Sequence, residues 1–243
     1  MKTAIVTGAS GGIGSATVLS LLENEYYVVA FYNTNESGIN DLIRKAEKIE
    51  KRDYLHTIRA DFSSTVSIKS GFDLVPSFIK HIDLLVNNAG VSLIKQSVDT
   101  TEEEFDRVFA VNMKSVFTLT NLVLPGMIER KSGCIINISS VWGEVGASLE
   151  TVYSASKSAV IGYTKALSKE LAPSQIRVNC ICPGVIDTKM NDCFTEEERR
   201  EIIAEIPLGR MGRAEEIVSL INYLVTAEYT TGQVLVVDGG YAK

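Results

Sequence analysis

The stretch "TGASGGIG", residues 7–14, decides the fold of this 243-residue chain. It closes the apolar run "TAIVT" and precedes the amphipathic stretch "SATVLSLLENE", so it lies between a predicted strand and a predicted helix. Gly8 permits a tight turn, Gly12 lets the backbone approach a pyrophosphate, and Gly14 allows the helix to pack closely on the strand. The amino end of the helix offers unpaired N–H groups to phosphates. This context predicts a dinucleotide-binding turn.

Strand and helix patterns alternate from one end of the chain to the other. Six further strand candidates are "YYVVAF", "YLHTIRA", "IDLLVNNAG", "CIINISS", "IRVNCICPG" and "QVLVVDGG". Strands that are apolar throughout are typical of a parallel sheet covered on both faces, and repeated β-α units predict a doubly wound α/β fold. We therefore expect a single Rossmann-type domain over residues 1–243. The segment 188–212 is longer than a plain crossover, and we expect it to form a small helical cap over the substrate.

Composition and charge exclude several classes of protein. The formal net charge of -6 argues against a nucleic-acid partner, which would require a basic face. There is no run of 18 apolar residues and no secretory leader, so we expect no membrane span and a cytoplasmic location. The cysteines show no C-x-x-C spacing, which favours buried thiols over a metal site. The cysteines, with the two histidines that could assist a metal, are Cys134, Cys180, Cys182, Cys193, His56 and His81.

The stretch "SSVWGEVGASLETVYSASK", residues 139–157, combines the groups that a proton-transfer site needs. When a hydride reaches a ketone carbon, the oxygen needs a proton, and Tyr153 is the candidate donor. A free phenol has a pKa near ~10, and Lys157, one helical turn away, is expected to lower it. Ser140, at the end of a predicted strand, can hydrogen-bond the same oxygen. Ser139 should point to the opposite face of the strand.

Together these motifs resemble the short-chain dehydrogenase/reductase family over the full length of the chain. The resemblance rests on the glycine turn, "NNAG" at 87–90, Asn112 in "VNMKSVF", the Ser-Tyr-Lys set and "PG" at 183–184. It implies seven parallel strands, a homotetramer and NAD(P)H-dependent reduction of a ketone to a secondary alcohol. It also implies that Asn112 lines a water path to Lys157. The catalytic residues implied are Asn112, Ser140, Tyr153 and Lys157, and the cofactor-binding residues are Gly8, Ser10, Gly12, Ile13, Gly14, Tyr32, Asn33, Thr34, Asp61, Phe62, Asn88, Ala89, Gly90, Tyr153, Lys157, Pro183, Gly184, Ile186 and Thr188.

The end of the second strand favours NADP(H). NAD-preferring relatives carry an Asp there that would repel a 2′-phosphate, whereas this chain carries Tyr32 followed by the donors of residues 33–35. NAD(H) remains the alternative, because many NADP-preferring relatives carry Arg or Lys in the glycine turn and this chain has Gly11. Asp61 resembles the family residue that touches adenine, and its alternative role is a helix N-cap.

Two substrates follow from the resemblance, both carried on proteins. The chain resembles the 3-oxoacyl-acyl-carrier-protein reductases, whose carrier docks on basic residues at the mouth of the site. Lys131 stands at one of the two docking positions and Ser174 at the other. The stretches "YNTN", "SSVWGEVGAS", "KELAPSQIRVN" and "FTEEERREIIAEIPLGR" resemble more closely a Firmicute branch that reduces 5-aminopentanone on elongation factor P.

Trp142 and Glu144 follow Ser140 closely and are expected to border the substrate pocket. A carboxylate there would attract the amine of an amino-ketone, whereas loop packing or a solvated loop is the alternative role for each residue. A third hypothesis is a catalytically silent dinucleotide-binding regulator. The intact catalytic set argues against that hypothesis.

Overall fold

The computed structural model describes residues 1–191 and 194–242. Its centre is a parallel sheet of seven strands in the order β3-β2-β1-β4-β5-β6-β7, which confirms the predicted doubly wound Rossmann fold. The strand order reverses between β1 and β4, and ligands of open α/β sheets bind at such a switch point, beyond the carboxyl ends of the strands. The strands are β1 Lys2–Thr7, β2 Tyr26–Tyr32, β3 Leu55–Arg59, β4 Leu84–Asn87, β5 Gly133–Ile138, β6 Ile176–Pro183 and β7 Val234–Val237.

Helices cover both faces of the sheet because successive strand residues point to opposite sides. In β1, Ala4 and Val6 join an apolar cluster with α1, α2 and α9, while Ile5 joins a second cluster with α3, α5 and α7. Both clusters are buried, so the sheet has no wet face, as its continuous apolar strands predict. The helices are α1 Gly12–Glu23, α2 Glu36–Lys48, α3 Thr65–Phe72, α4 Glu102–Phe109, α5 Ser115–Arg130, α6 Trp142–Val145, α7 Thr151–Leu171, α8 Glu196–Glu205 and α9 Ala214–Thr226.

The segment predicted to be a cap contains α8. Thr195 and Glu198 form a capping box at its start, and three glutamates occupy the first turn, where the helix dipole favours negative charge. Cys193 lies outside the described residues, while Cys134, Cys180 and Cys182 are buried free thiols. That the segment covers the substrate stays a prediction.

Helices α4 and α5 are joined by a π-helical turn, Ala110–Lys114, into one segment, Glu102–Arg130. By length and composition this segment could cross a membrane, with a mean hydropathy of 1.3 over 18 residues. However, 56% of that window is buried inside the protein. Leu119 and Met127 are fully buried in the second apolar cluster, so the segment packs as a core helix.

A chain of buried polar side chains crosses the middle of the sheet. The amide of Asn87 on β4 donates to Asn137 Oδ1 on β5 (2.9 Å) and to Thr120 Oγ1 on α5 (3.2 Å). The amide of Asn137 donates in turn to Thr164 Oγ1 on α7 (2.9 Å). Every member has a partner, as buried polar groups require. The chain therefore fixes the two central strands to the helices that carry the site.

Candidate active site

Three of the four glycines in the glycine turn have no room for a side chain. Gly8 adopts φ +65°, and an added Cβ would lie 2.9 Å from the amide of Asn88. A Cβ on Gly14 would collide with the Gly8 carbonyl, and one on Gly12 with the side chain of Thr188. The amino end of α1 therefore presents bare backbone to the cleft, and this arrangement fits the pyrophosphate of a dinucleotide.

Two side chains to which the sequence analysis did not give this role, Thr7 and Asn35, hold the turn in place. The hydroxyl oxygen of Thr7 accepts the backbone N–H groups of Asn88 and Ala89, both at 2.9 Å, and the Asn88 amide donates to the Thr7 carbonyl at 3.0 Å. The Asn35 amide donates to the Ser10 carbonyl (2.8 Å), while its oxygen caps α2. An asparagine directly before a predicted helix is typical of an N-cap, and this pattern could have identified the capping role of Asn35.

The predicted adenosine-binding residues cluster at the ends of β2 and β3. Tyr32 is the last residue of β2 and is the register partner of Arg59, the last residue of β3. The Asn33 amide donates to Asp61 Oδ1 at 3.4 Å. The helix-cap alternative for Asp61 is wrong, because Ser64 caps α3.

The structure limits which groups of Phe62 and Thr34 could contact a cofactor. The side chain of Phe62 is buried edge-on against Phe31 in the core, so only its backbone can face a cofactor. The Thr34 carbonyl accepts the N–H of Glu36 at the start of α2. Residues 32–34, 61 and 62 are not among those that line the two lobes of the cleft described below, and their contact with a cofactor stays a prediction.

The glycine turn opens into a cleft with two adjoining lobes. The first lobe, about 560 Å³, lies against the turn and residues 88–90, and the second, about 490 Å³, contains the predicted catalytic side chains. We call the second one the substrate lobe. The two lobes share Ile13, Asn88, Gly90, Ser92 and Thr188. Pro183, Gly184 and Ile186 line the substrate lobe, so the cleft joins a dinucleotide cradle to a site for a second molecule.

The structure brings Ser140, Tyr153 and Lys157 together in the substrate lobe. Ser140 follows β5 and lines this lobe with Tyr153, and its Oγ accepts the backbone N–H of Trp142 (3.2 Å). Lys157 Nζ lies 5.8 Å from the centre of the Tyr153 ring and donates to the Ile138 carbonyl (3.0 Å). The hydroxyl of Ser139 donates instead to the Lys157 carbonyl (2.8 Å), so it is not free to bind a substrate.

Burial dominates the electrostatics of these groups. It raises the pKa of Tyr153 to about 12, and the charge of Glu150 raises it further. It also lowers the pKa of Lys157 to about 8. The expectation that Lys157 lowers the pKa of Tyr153 is therefore wrong for the isolated chain, because desolvation of the phenolate is the larger effect. At neutral pH the phenol keeps its proton and can act as an acid.

This arrangement supports ketone reduction. The glycine turn would hold a nicotinamide cofactor, which would supply the hydride. The Tyr153 hydroxyl can then donate its proton to the ketone oxygen, while the Ser140 hydroxyl hydrogen-bonds that oxygen and stabilises its developing charge. Lys157, with a pKa of about 8, is mostly protonated at neutral pH, and its cation beside Tyr153 favours the phenolate that remains.

Asn112 lies in the π-helical turn, and its side chain acts as a clamp. Its Oδ1 accepts the Val91 N–H (2.8 Å), and its amide donates to the Val91 carbonyl (2.9 Å) and to Ser156 Oγ (3.0 Å). Single π-turns within helices often occur at functional sites. These bonds fix the loop after β4 against α7, the helix of Tyr153. The water path through Asn112 stays a prediction.

The substrate lobe also corrects one predicted pocket residue. Trp142 lines the lobe, whereas Glu144 is exposed and does not line it, because the short helix α6 turns it toward solvent. Among the described residues, the carboxylates that line the lobe are Glu150 and Glu205, from the start of α7 and the end of α8. Tyr241, after β7, completes that side. Glu150 lies one helical turn before Tyr153, and this spacing in the sequence could have identified Glu150 as a residue near the phenol.

Neither predicted carrier-docking position lies at the mouth of this cleft. Lys131 follows α5 and immediately precedes the amino end of β5, and Ser174 precedes the amino end of β6 in the same way. The cleft lies at the carboxyl ends of the strands. Within one chain, these positions are therefore at the opposite edge of the sheet from the cleft.

The fold and the site define a short-chain dehydrogenase. The model of the family described as short chain dehydrogenase matches residues 2–199, and the chain belongs to that family. Within the family it is similar to 3-oxoacyl-acyl-carrier-protein reductases. It is 39% identical over 241 residues to the 3-oxoacyl-[acyl-carrier-protein] reductase FabG of Thermotoga maritima, covering 98% of this chain and 97% of that protein.

Two further relatives cover the same length. The chain is 41% identical over 244 residues to the uncharacterized oxidoreductase YmfI of Bacillus subtilis, covering 99% of this chain and 98% of that protein. Among solved structures, an actinorhodin polyketide ketoreductase variant with NADPH superposes with a TM-score of 0.92 at 32% identity. That match covers 100% of this chain and 97% of the ketoreductase.

Proposed function

We propose that this protein is an NADPH-dependent reductase that converts the ketone of a 3-oxoacyl thioester, carried on acyl carrier protein, to a secondary alcohol. The observation that carries the proposal is the Ser140, Tyr153 and Lys157 set in a lobe that adjoins the glycine cradle. The similarity of this chain to a 3-oxoacyl-[acyl-carrier-protein] reductase, over 98% of its length, supports this substrate class. The intact proton donor disfavours a silent dinucleotide-binding regulator.

The preference for NADP(H) is supported by the loop after β2. Tyr32 stands where a carboxylate would repel a 2′-phosphate, and Arg59, its register partner, brings a cation to the same end of the sheet. Arg59 also pairs with Glu36 at 3.3 Å, and both side chains are more than half exposed, so this pair contributes little by itself. NAD(H) remains the alternative cofactor.

We further propose that the protein acts in the cytoplasm as a homotetramer. Strand β7 lies at the edge of the sheet, and its Val236 is 46% exposed. The backbone groups of an edge strand and an exposed apolar side chain can both contact a second copy of the chain. Sedimentation equilibrium at several protein concentrations tests the assembly. A mass of one chain at all concentrations would contradict it.

A second substrate is favoured by one specific observation. Two carboxylates, Glu150 and Glu205, line the substrate lobe, and none of the ion pairs formed among the described residues neutralises either of them. Such a lobe suits a ketone that carries a cation, and 5-aminopentanone on elongation factor P carries an amine. Phosphopantetheine is anionic at its far end and gains nothing from these charges.

The two substrates are separated by direct turnover. Purified protein is given NADPH with either acetoacetyl-acyl carrier protein or elongation factor P bearing 5-aminopentanone, and kcat/KM is measured from the loss of NADPH absorbance. The Tyr153→Phe variant is the matched control for background oxidation. The main proposal predicts the higher kcat/KM with the acyl carrier protein, and the reverse order would select the amino-ketone. No turnover of either substrate would overturn both.

A further inference from the structure

The chain after β7 folds back over the end of α8. The carboxylate of Asp238 accepts the backbone N–H groups of Gly240 (2.9 Å) and Ala242 (2.7 Å). Gly239 and Gly240 have φ values of +68° and +87°, a conformation that residues with a Cβ rarely adopt. Both glycines pack against residues 206–208, directly after α8. The turn therefore has a defined path that delivers the next side chain, Tyr241, to the cleft.

Tyr241 joins two elements on one side of the substrate lobe. Its ring packs on the Trp142 ring of α6, with 5.4 Å between the centroids and 60° between the planes. Its hydroxyl donates to Glu205 Oε2 of α8 at 3.1 Å. Burial, with the nearby charges of Glu205 and Glu150, raises its pKa to about 12, so the hydroxyl stays a donor at neutral pH. One side chain therefore closes the gap between α6 and α8.

The position of Tyr241 separates it from the chemistry. It lines the substrate lobe but not the lobe along the glycine turn, and its partners are Trp142 and Glu205 rather than Ser140 or Lys157. Its aromatic ring thus forms part of the wall of a lobe of about 490 Å³. A rigid wall of this kind discriminates by size, because a group that is too long must displace packed atoms.

We propose that Tyr241 is a specificity-determining residue, whose ring ends the substrate lobe and restricts the reductase to ketones with a short group on that side. The proposal rests on ketone reduction as the proposed function but not on the identity of the carrier. In this proposal the aromatic ring sets the selectivity for substrate length. The hydroxyl bond to Glu205 only orients that ring.

The test compares a short and a long substrate in three variants. Acetoacetyl and 3-oxooctanoyl thioesters of N-acetylcysteamine are the probes, and kcat/KM is measured for each with NADPH. Tyr241→Ala removes the wall, Tyr241→Phe keeps the ring without the hydroxyl, and Tyr229→Ala is the control at a fully exposed tyrosine. We expect the wild type to favour the short thioester, and Tyr241→Ala to raise the long-to-short ratio by about tenfold or more. Tyr241→Phe and Tyr229→Ala should keep the wild-type ratio.

A binding measurement keeps the proposal testable without turnover. Trp142 is the only tryptophan of the chain and contacts Tyr241, so its fluorescence reports ligands in the substrate lobe. The dissociation constants of the matching 3-hydroxyacyl thioesters should show the same change in ratio. If neither ketone is reduced, the proposed function fails, while this binding ratio still tests the wall.

Three results would overturn the proposal. The first is a wild type without a length preference. The second is an equal loss for both lengths in Tyr241→Ala, together with weaker NADPH binding, since this pattern indicates a structural role alone. The third is a change of ratio in Tyr241→Phe as large as in Tyr241→Ala, because the hydroxyl bond rather than the ring would then set the selectivity.

Discussion

Replacing Lys157 with Met should stabilise the protein while it abolishes ketone reduction. The lysine is buried, and burial lowers its pKa from 10.5 to about 8. Since one pKa unit corresponds to ~1.4 kcal/mol, holding the charged amine inside the fold costs roughly 3 kcal/mol at neutral pH. Loss of the hydrogen bond to the Ile138 carbonyl offsets roughly 1 kcal/mol of the gain. We expect a net rise of roughly 2 kcal/mol in the free energy of unfolding.

The stability difference between Lys157→Met and the wild type should depend on pH in a characteristic way. The unfolded lysine keeps its proton up to pH 10.5 and the folded one only to about pH 8, so wild-type stability rises between these values. The advantage of Lys157→Met should therefore be full below about pH 8 and shrink toward zero as the pH approaches about 10. Urea denaturation followed by circular dichroism measures it, at a fixed protein concentration because assembly also shifts apparent stability.

A matched control lies on the same helix. Lys165 is exposed on α7, so Lys165→Met should leave the free energy of unfolding within about 0.5 kcal/mol of the wild-type value at every pH. If Lys157→Met is less stable than the wild type at pH 7, the reasoning is refuted. A stability difference that stays constant from pH 7 to pH 10 would also refute it, since the burial of charge would not be the cause.

Three further predictions concern catalysis, cofactor and substrate. Tyr153→Phe should bind NADPH as the wild type does but lose about 100-fold or more in kcat, because only the proton donor is missing; a near wild-type rate would remove Tyr153 from the acid role. Tyr32→Asp should lower kcat/KM with NADPH and raise it with NADH, because the added carboxylate repels the 2′-phosphate. Glu150→Gln should lower kcat/KM for an amino-ketone by about tenfold and leave an acetoacetyl thioester equal or better, since only the former carries a cation.

Controls for the last two predictions lie in the same chain. Glu144 is exposed beside the lobe, so Glu144→Gln should leave both substrates unchanged, and equal effects of the two Glu→Gln changes would contradict the role of Glu150. For the cofactor, the opposing result is a wild type that already binds NADH more tightly than NADPH. Fluorescence titration with each nucleotide measures this directly.

The sheet could be predicted from the sequence because its signals are local. Apolar runs such as "TAIVT" and "CIINISS" specify strands buried on both faces, and the glycine turn specifies the first connection. The proximity of Tyr153 and Lys157 also follows from helical spacing alone. Ser140 lies with them because it follows β5 at the carboxyl edge of the sheet, the edge from which the next helices start.

The wall of the substrate lobe could not be predicted in the same way. Trp142, Glu205 and Tyr241 meet only after separate elements pack, and no short-range pattern links residues 36 or more positions apart. The proximity of Glu144 to Ser140 in sequence predicts a pocket residue, but one turn of α6 carries Glu144 to the surface. The raised pKa of Tyr153 is likewise a property of packing, since desolvation depends on what surrounds the phenol.

The buried amide chain through Asn87 and Asn137 has a consequence for folding. These residues are register partners on β4 and β5, and the amide of Asn87 donates to Asn137 Oδ1. If β5 slipped by one residue, Asn137 would face the other side of the sheet and the Asn87 amide would lose one of its two acceptors in an apolar interior. An unpaired buried amide costs about 1–3 kcal/mol. The apolar strands would tolerate many alignments equally well, so this pair of amides makes misaligned sheets less stable than the native one during assembly.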